Sequence, residues 1–175
     1  MIFIRVQLCS VLLLWALPVT LSAQYNHDVM KAAYLERITR FIDWPEIQNS
    51  KDTTVFTIGI FGDSDFYSVL KTSLKDKTIK GRKVEIVKLV KPINAELCDI
   101  CYISGINEPE LEILVSEANR NGVLVMTEKK GFGEKGVHVN FYLENNKLKF
   151  EINRSSMESG KFKVSSLLLK SSKVL

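Results

Sequence analysis

The sequence predicts an α/β fold: a mainly parallel sheet flanked by helices, Rossmann-like in layout, closed by a C-terminal antiparallel hairpin. Three observations predict it. Between Thr54 and Thr127, apolar β-branched runs alternate with segments of helical period, the signature of strands joined by crossover helices. From Val137 to Asn153 the pattern changes to strict alternation on either side of Glu144-Asn145-Asn146-Lys147, which reads as a hairpin. Beyond an export-like N-terminus, about 150 residues remain, enough to bury one core.

Met1 to Ala23 reads as a secretory signal peptide. Arg5 supplies the positive n-region, Val11-Leu12-Leu13-Leu14-Trp15-Ala16-Leu17 the apolar h-region, and Pro18 breaks it. Leu21-Ser22-Ala23 ends in small residues suited to cleavage, and the apolar stretch is short for a membrane span. One domain, residues 24–175, follows.

Met30, Tyr34, Ile38, Phe41 and Ile42 recur at helical spacing, with Lys31, Glu36, Arg37 and Arg40 placed elsewhere. This helix is expected from about His27 and to stop before Trp44-Pro45, because a proline disfavours helix at the preceding residue. Thr54 to Phe61 is a strand buried on both faces. Gly62-Asp63-Ser64 turns the chain, and Phe66 to Leu74 forms the next helix. Val84 to Val90 and Asp99 to Ser104 are further strands. Asn107-Glu108-Pro109 starts a helix with Asn as cap and Pro in the first turn, and Gly122 stands where a left-handed cap would end it. Val123 to Thr127 is the fourth strand. After the hairpin, helical or irregular structure is expected from about Ser155.

The net charge of +4 becomes +3 without Arg5 and is spread along the chain, which argues against nucleic acid. The densest basic stretch, Lys71 to Lys91, is interleaved with Asp76 and Glu85 and reads as a solvated face. Cys98 and Cys101 remain after cleavage. Within a strand, residues three apart face opposite sides, so the two thiols are expected to be buried and unpaired.

Gly131-Phe132-Gly133-Glu134-Lys135-Gly136 matches the dinucleotide fingerprint letter for letter. A strand pattern follows it, whereas phosphate binding needs a helix start there, so a loop into the hairpin is the better account. Asp63 and Ser64, with Asp65, lie at the carboxyl end of a central strand, where α/β folds bind ligands; they equally suit a helix cap. The two histidines, His27 and His138, show no metal-ligand spacing, and no nucleophile stands in a catalytic motif. Asn153-Arg154-Ser155 is a sequon that matters only in a eukaryotic secretory route. The residues alone leave two classes: a binding or regulatory module, and an enzyme with a site assembled from scattered residues.

Several blocks, in order, resemble the YfiR family of bacterial periplasmic regulators. They are Lys31-Ala32-Ala33-Tyr34-Leu35 with Arg40-Phe41-Ile42-Asp43-Trp44-Pro45; Ile58-Gly59-Ile60-Phe61-Gly62-Asp63 with Gly81-Arg82; and Cys98-Asp99-Ile100-Cys101-Tyr102-Ile103-Ser104. Gly122-Val123-Leu124-Val125-Met126-Thr127, Phe132, Gly136-Val137-His138-Val139-Asn140-Phe141, Phe150-Glu151-Ile152-Asn153 and Ser165-Ser166-Leu167-Leu168-Leu169 complete the set. Cys98 matches a family cysteine and Cys101 does not. The resemblance implies a periplasmic, non-enzymatic protein without a cofactor. It would inhibit the extracytoplasmic part of an inner-membrane signalling enzyme, a diguanylate cyclase or alternatively a sensor kinase, and could form a homodimer. The other reading is a periplasmic small-ligand sensor using the crevice beyond Gly62-Asp63.

Strand parity places Glu151 opposite the Leu148/Phe150/Ile152 face, beside His138, Asn140 and Tyr142. An exposed charge beside an aromatic makes Glu151, His138 and Tyr142 a candidate partner-facing patch. Trp44 is a second candidate, with a lid over the core as its other role.

Overall fold

The computed structural model describes residues 19–46, 54–62 and 65–175, with side chains from His27 onward. Most of the expected leader and both crevice residues, Asp63 and Ser64, lie outside the described residues.

Helix α1 (Val19–Thr39) leads into β1 (Ile42–Asp43), then β2 (Val55–Phe61), α2 (Phe66–Ser73), β3 (Thr78–Ile79) and β4 (Arg82–Leu89). A 3-10 turn over Pro92–Leu97 precedes β5 (Ile100–Ile103), α3 (Glu108–Asn121) and β6 (Leu124–Thr127). The chain closes with β7 (Val139–Glu144), β8 (Lys147–Ile152), α4 (Arg154–Ser159), β9 (Lys163–Val164), α5 (Ser166–Lys170) and β10 (Lys173–Val174).

Eight strands form one sheet in the order β10-β8-β7-β6-β5-β2-β4-β3, and β1 pairs with β9 in a separate two-stranded ribbon. The sheet is mixed, which corrects the expectation of a mainly parallel, Rossmann-like one. Its interior run β4-β2-β5-β6-β7 is parallel, but β8 is antiparallel to β7 and β3 to β4. The cause is local. Lys80-Gly81 and Asn145-Asn146 both sit at positive φ (51° and 76°; 51° and 57°), the two-residue turn that reverses a strand on itself. The second of these is the expected hairpin.

Two apolar layers sandwich the sheet. On one side α1 and α2 pack Ala32, Leu35, Ile38, Phe66 and Leu70 against Phe56, Ile58, Ile60, Tyr102 and Met126. On the other, Leu111, Leu114, Val115 and Ala118 of α3 cover Cys101, Ile103 and Val125. Each fully buried aliphatic or aromatic side chain contributes about 1.5–3 kcal/mol. The ends of α3 are those expected: Asn107 Oδ1 accepts the Glu110 amide at 2.9 Å, and Gly122 adopts φ 58°. Asp65 holds the N-cap position of α2 without a side-chain cap bond.

The buried stripe of α1 differs from expectation. Asp28, Lys31, Ala32, Leu35, Ile38 and Thr39 face inward, while Met30 is exposed. Lys31, expected on the polar face, lies in the stripe. The helix also ends earlier, at Thr39, where the Thr39 hydroxyl donates to the Glu36 carbonyl at 2.6 Å and the chain leaves to pair β1 with β9.

Candidate functional site

The hairpin, the β6–β7 loop, the start of α1 and the C-terminal strand enclose a groove of about 640 Å³. His27 and Lys31 line it from α1, Glu128 and Glu134 from the loop, and Asn140, Tyr142, Glu151 and Lys173 from the sheet.

Lys31 anchors one wall. Its Nζ lies 2.7 Å from both Asp28 Oδ1 and Glu128 Oε1, and 4.9 Å from the centre of the Phe66 ring. Its side chain is 1% exposed, so the ammonium depends on these carboxylates in place of water. Below it Tyr102 is buried, and burial first, then the Glu128 carboxylate, pushes its hydroxyl far above the usual phenol range.

Glu151 anchors the other wall. Asn140 Nδ2 donates to Glu151 Oε1 at 2.9 Å, and Lys173 Nζ lies 3.2 Å from Oε2. The Asn140–Glu151 pairing follows from hairpin register, as parity implied. The expected exposure of this patch does not follow. Glu151 is 9% exposed and His138 fully buried. Two other segments cover Glu151: β10 runs parallel to β8 there, and Gly133 of the loop packs so tightly that a Cβ would sit 2.5 Å from Glu151 Oε1. The Gly131–Gly136 segment is thus a packed loop leading into β7, with no helix behind it. Asn153 donates to the Gly133 carbonyl at 2.8 Å and caps α4, so its side chain serves the fold.

His138 Nδ1 accepts the Val125 amide at 3.0 Å, and its ring meets Phe162 edge-on at 5.1 Å. Burial pushes its pKa down to about 3, with the Ser156 backbone opposing. It is a neutral core histidine. Tyr142 is half-buried on the groove's rim.

Trp44 lies elsewhere, half-buried over the core. It packs edge-on against Phe56 and Phe162, and its Nε1 donates to the Asp99 carbonyl at 3.2 Å. Asp99 accepts the Thr57 amide at 2.8 Å and Arg82 Nη2 at 2.7 Å; Arg82 also reaches the Val55 carbonyl at 3.1 Å and stacks on Phe56. Three of the sequence blocks, around Trp44, Arg82 and Asp99, thus meet in one structural knot that ties β2 to β4 and β5.

Neither Cys98 nor Cys101 forms a disulfide and both are buried, but in the same apolar layer, not on opposite faces. Strand β5 starts only at Ile100, and Cys98 ends the preceding 3-10 turn, so strand parity does not relate the two. Burial first, then Cys98, pushes the Cys101 thiol far above its usual range, which keeps it protonated and unreactive. Among the described residues, no three His, Cys, Asp or Glu side chains gather as a metal site.

The groove residues Lys31, Glu128 and Lys173 were not singled out from sequence. The only signal was Asp28-x-x-Lys31 ahead of Leu35 and Ile38, which puts an ion pair inside the apolar stripe of α1.

Fold and site define a small mixed α/β domain whose polar groups converge on a groove and a structural knot. The YfiR/HmsC-like family model matches residues 28–173, and the chain belongs to that family. No curated protein matches it. Among solved structures it is similar to a conserved domain protein from Vibrio cholerae O1 biovar El Tor, at 12% identity and a TM-score of 0.58. That match covers 84% of this chain and 59% of the other, so the chain spans less than two thirds of the solved protein, and the likeness is one of fold.

Proposed function

We propose that the protein is a periplasmic, non-enzymatic regulator that binds the extracytoplasmic part of an inner-membrane diguanylate cyclase and holds it off. The observation that carries this is membership of the YfiR/HmsC-like family over residues 28–173. The export-type pattern of residues 1–23 supports it, because a leader of that kind would deliver the domain to the outer side of the inner membrane. The contact is assigned to the free end of the β7–β8 hairpin, where half-buried Tyr142 and the 52% exposed Leu143 project beside the groove. A homodimer is compatible with the same reading. The test is co-purification, under mild crosslinking, with a membrane diguanylate cyclase encoded nearby. Recovery of the cyclase that is lost on Tyr142→Ala with Leu143→Asp supports the reading; absence of any membrane signalling enzyme after crosslinking counts against it.

A second reading has its own observation. Asn140 is 2% exposed, and among the described residues its Oδ1 has no hydrogen-bond partner. The amide cannot be turned round, because a carboxylate only accepts. Asn140 lines the groove, and a small ligand whose donor reached this covered acceptor would satisfy it, so the protein would sense a molecule in place of, or as well as, a partner. A thermal-shift screen separates the two, since a ligand at 100 times its dissociation constant stabilises by about 2.7 kcal/mol.

A further inference from the structure

The densest basic stretch of the sequence folds onto one edge of the sheet. Lys71 to Lys91 holds eight basic residues against two acidic ones, a net of +6, whereas the whole chain carries +4; the rest of the chain is therefore net −2. The segment comprises the end of α2 together with β3 and β4, the two strands at one edge of the eight-stranded sheet. Arg82 is committed to Asp99, and Lys80 lies 3.5 Å from Asp43. Lys71, Lys75, Lys77, Lys83, Lys88 and Lys91 are exposed. Lys71 and Lys88 come from different elements yet converge on Tyr67, with Nζ 5.9 and 5.0 Å from its ring centre.

The same edge runs directly into exposed apolar side chains. Val90, Ile93 and Leu97 are 84%, 45% and 64% exposed, all within eight residues at the end of β4 and in the 3-10 turn. Single exposed aliphatics need no explanation, but Val90 just after β4 and Ile93 and Leu97 in the turn put three into eight residues next to a basic edge, with Glu96 the one exposed acid among them. Pro92 fixes the turn, so these side chains are presented at little cost in conformational entropy.

We infer that this edge and turn dock the protein on an anionic phospholipid surface. The chemistry favours a bilayer because it alone supplies both complements: anionic headgroups for the lysines, and the headgroup–acyl boundary for Val90, Ile93 and Leu97. A nucleic-acid backbone would meet the lysines and leave the three aliphatics in water. Docking would confine the protein to the plane of a membrane, whatever partner it meets there, so the inference stands apart from the proposed regulatory role.

Flotation of the purified protein with vesicles tests it, using three parts phosphatidylcholine to one part phosphatidylglycerol, against phosphatidylcholine alone. The expected result is binding to the anionic vesicles only, weakened by salt. Lys88→Gln and Lys91→Gln should each weaken it about fivefold, and Val90→Ser with Leu97→Ser should weaken it further. All four positions are exposed, so unchanged melting temperatures will show that the variants fold. No flotation with anionic vesicles at low salt overturns the inference. So does binding that these substitutions leave unchanged. Retention on heparin without vesicle binding overturns it too, and marks the edge as a site for a soluble polyanion.

Discussion

Asp99 is the residue whose loss should cost the fold most for the fewest atoms removed. In Asp99→Ala three things happen at once. The Thr57 amide, held at 2.8 Å within the sheet, loses its acceptor. Arg82, 22% exposed in its side chain and 2.7 Å from the carboxylate, keeps its charge without a counter-ion. The side-chain tie from the start of β5 to the β2–β4 pair is lost, while the backbone ladder between β2 and β5 remains. An orphaned buried donor costs about 1–3 kcal/mol, and breaking a mostly buried ion pair from one side about 3–5 kcal/mol. Arg82 can partly rehydrate and keeps its bond to the Val55 carbonyl, so we expect a total near the lower end, about 3–4 kcal/mol. For a domain of this size that lowers the melting temperature by roughly 10 °C. Asp99→Asn keeps an acceptor for Thr57 only by turning its NH2 toward Arg82, so it loses the charge and the oxygen that accepts from Arg82 and should recover only the Thr57 share of the loss. Urea unfolding of the three proteins measures both differences. A loss below about 1 kcal/mol in Asp99→Ala would refute the claim that the Trp44/Arg82/Asp99 knot holds the sheet.

Other predictions follow from the same burial and charge arguments. Lys31→Ala should destabilise by about 3 kcal/mol, because it removes the buried ammonium that sits between the Asp28 and Glu128 carboxylates, while Lys135→Ala breaks the exposed pair with Glu108 and should cost less than about 1 kcal/mol; parallel denaturation curves compare them. His138 has its folded pKa pushed from 6.5 down to about 3, so the unfolded chain takes up a proton that the folded one refuses. Its stabilising effect is therefore complete above about pH 6.5 and is lost as pH falls toward 3, by up to about 1.4 kcal/mol per pH unit. Melting against pH should show that acid limb flattened in His138→Phe. If Met1 to Ala23 is a leader, N-terminal sequencing of the exported protein should begin at Gln24.

What the sequence disclosed depended on how local the cause was. The Asn145-Asn146 turn, the Asn107 and Gly122 caps and the long apolar strands are set by neighbours a few residues apart, and all were legible. Strands β1, β9 and β10 have two residues each, too short for any period, and exist because distant segments meet them. The site shows the same division. Hairpin register put Asn140 opposite Glu151 correctly. That Glu151 is covered depends on Gly133 and Lys173, and that His138 is buried depends on Val125 and Phe162, none of which parity can bring in. The charge of Lys31 argues for solvent; its burial needs Glu128, 97 residues on.

The direct test of the regulatory reading is cellular cyclic di-GMP after deletion of the gene. The account predicts a rise that disappears when one membrane diguanylate cyclase is deleted as well. An unchanged level, under conditions where that cyclase is expressed, would contradict it and turn attention to the groove and a small ligand.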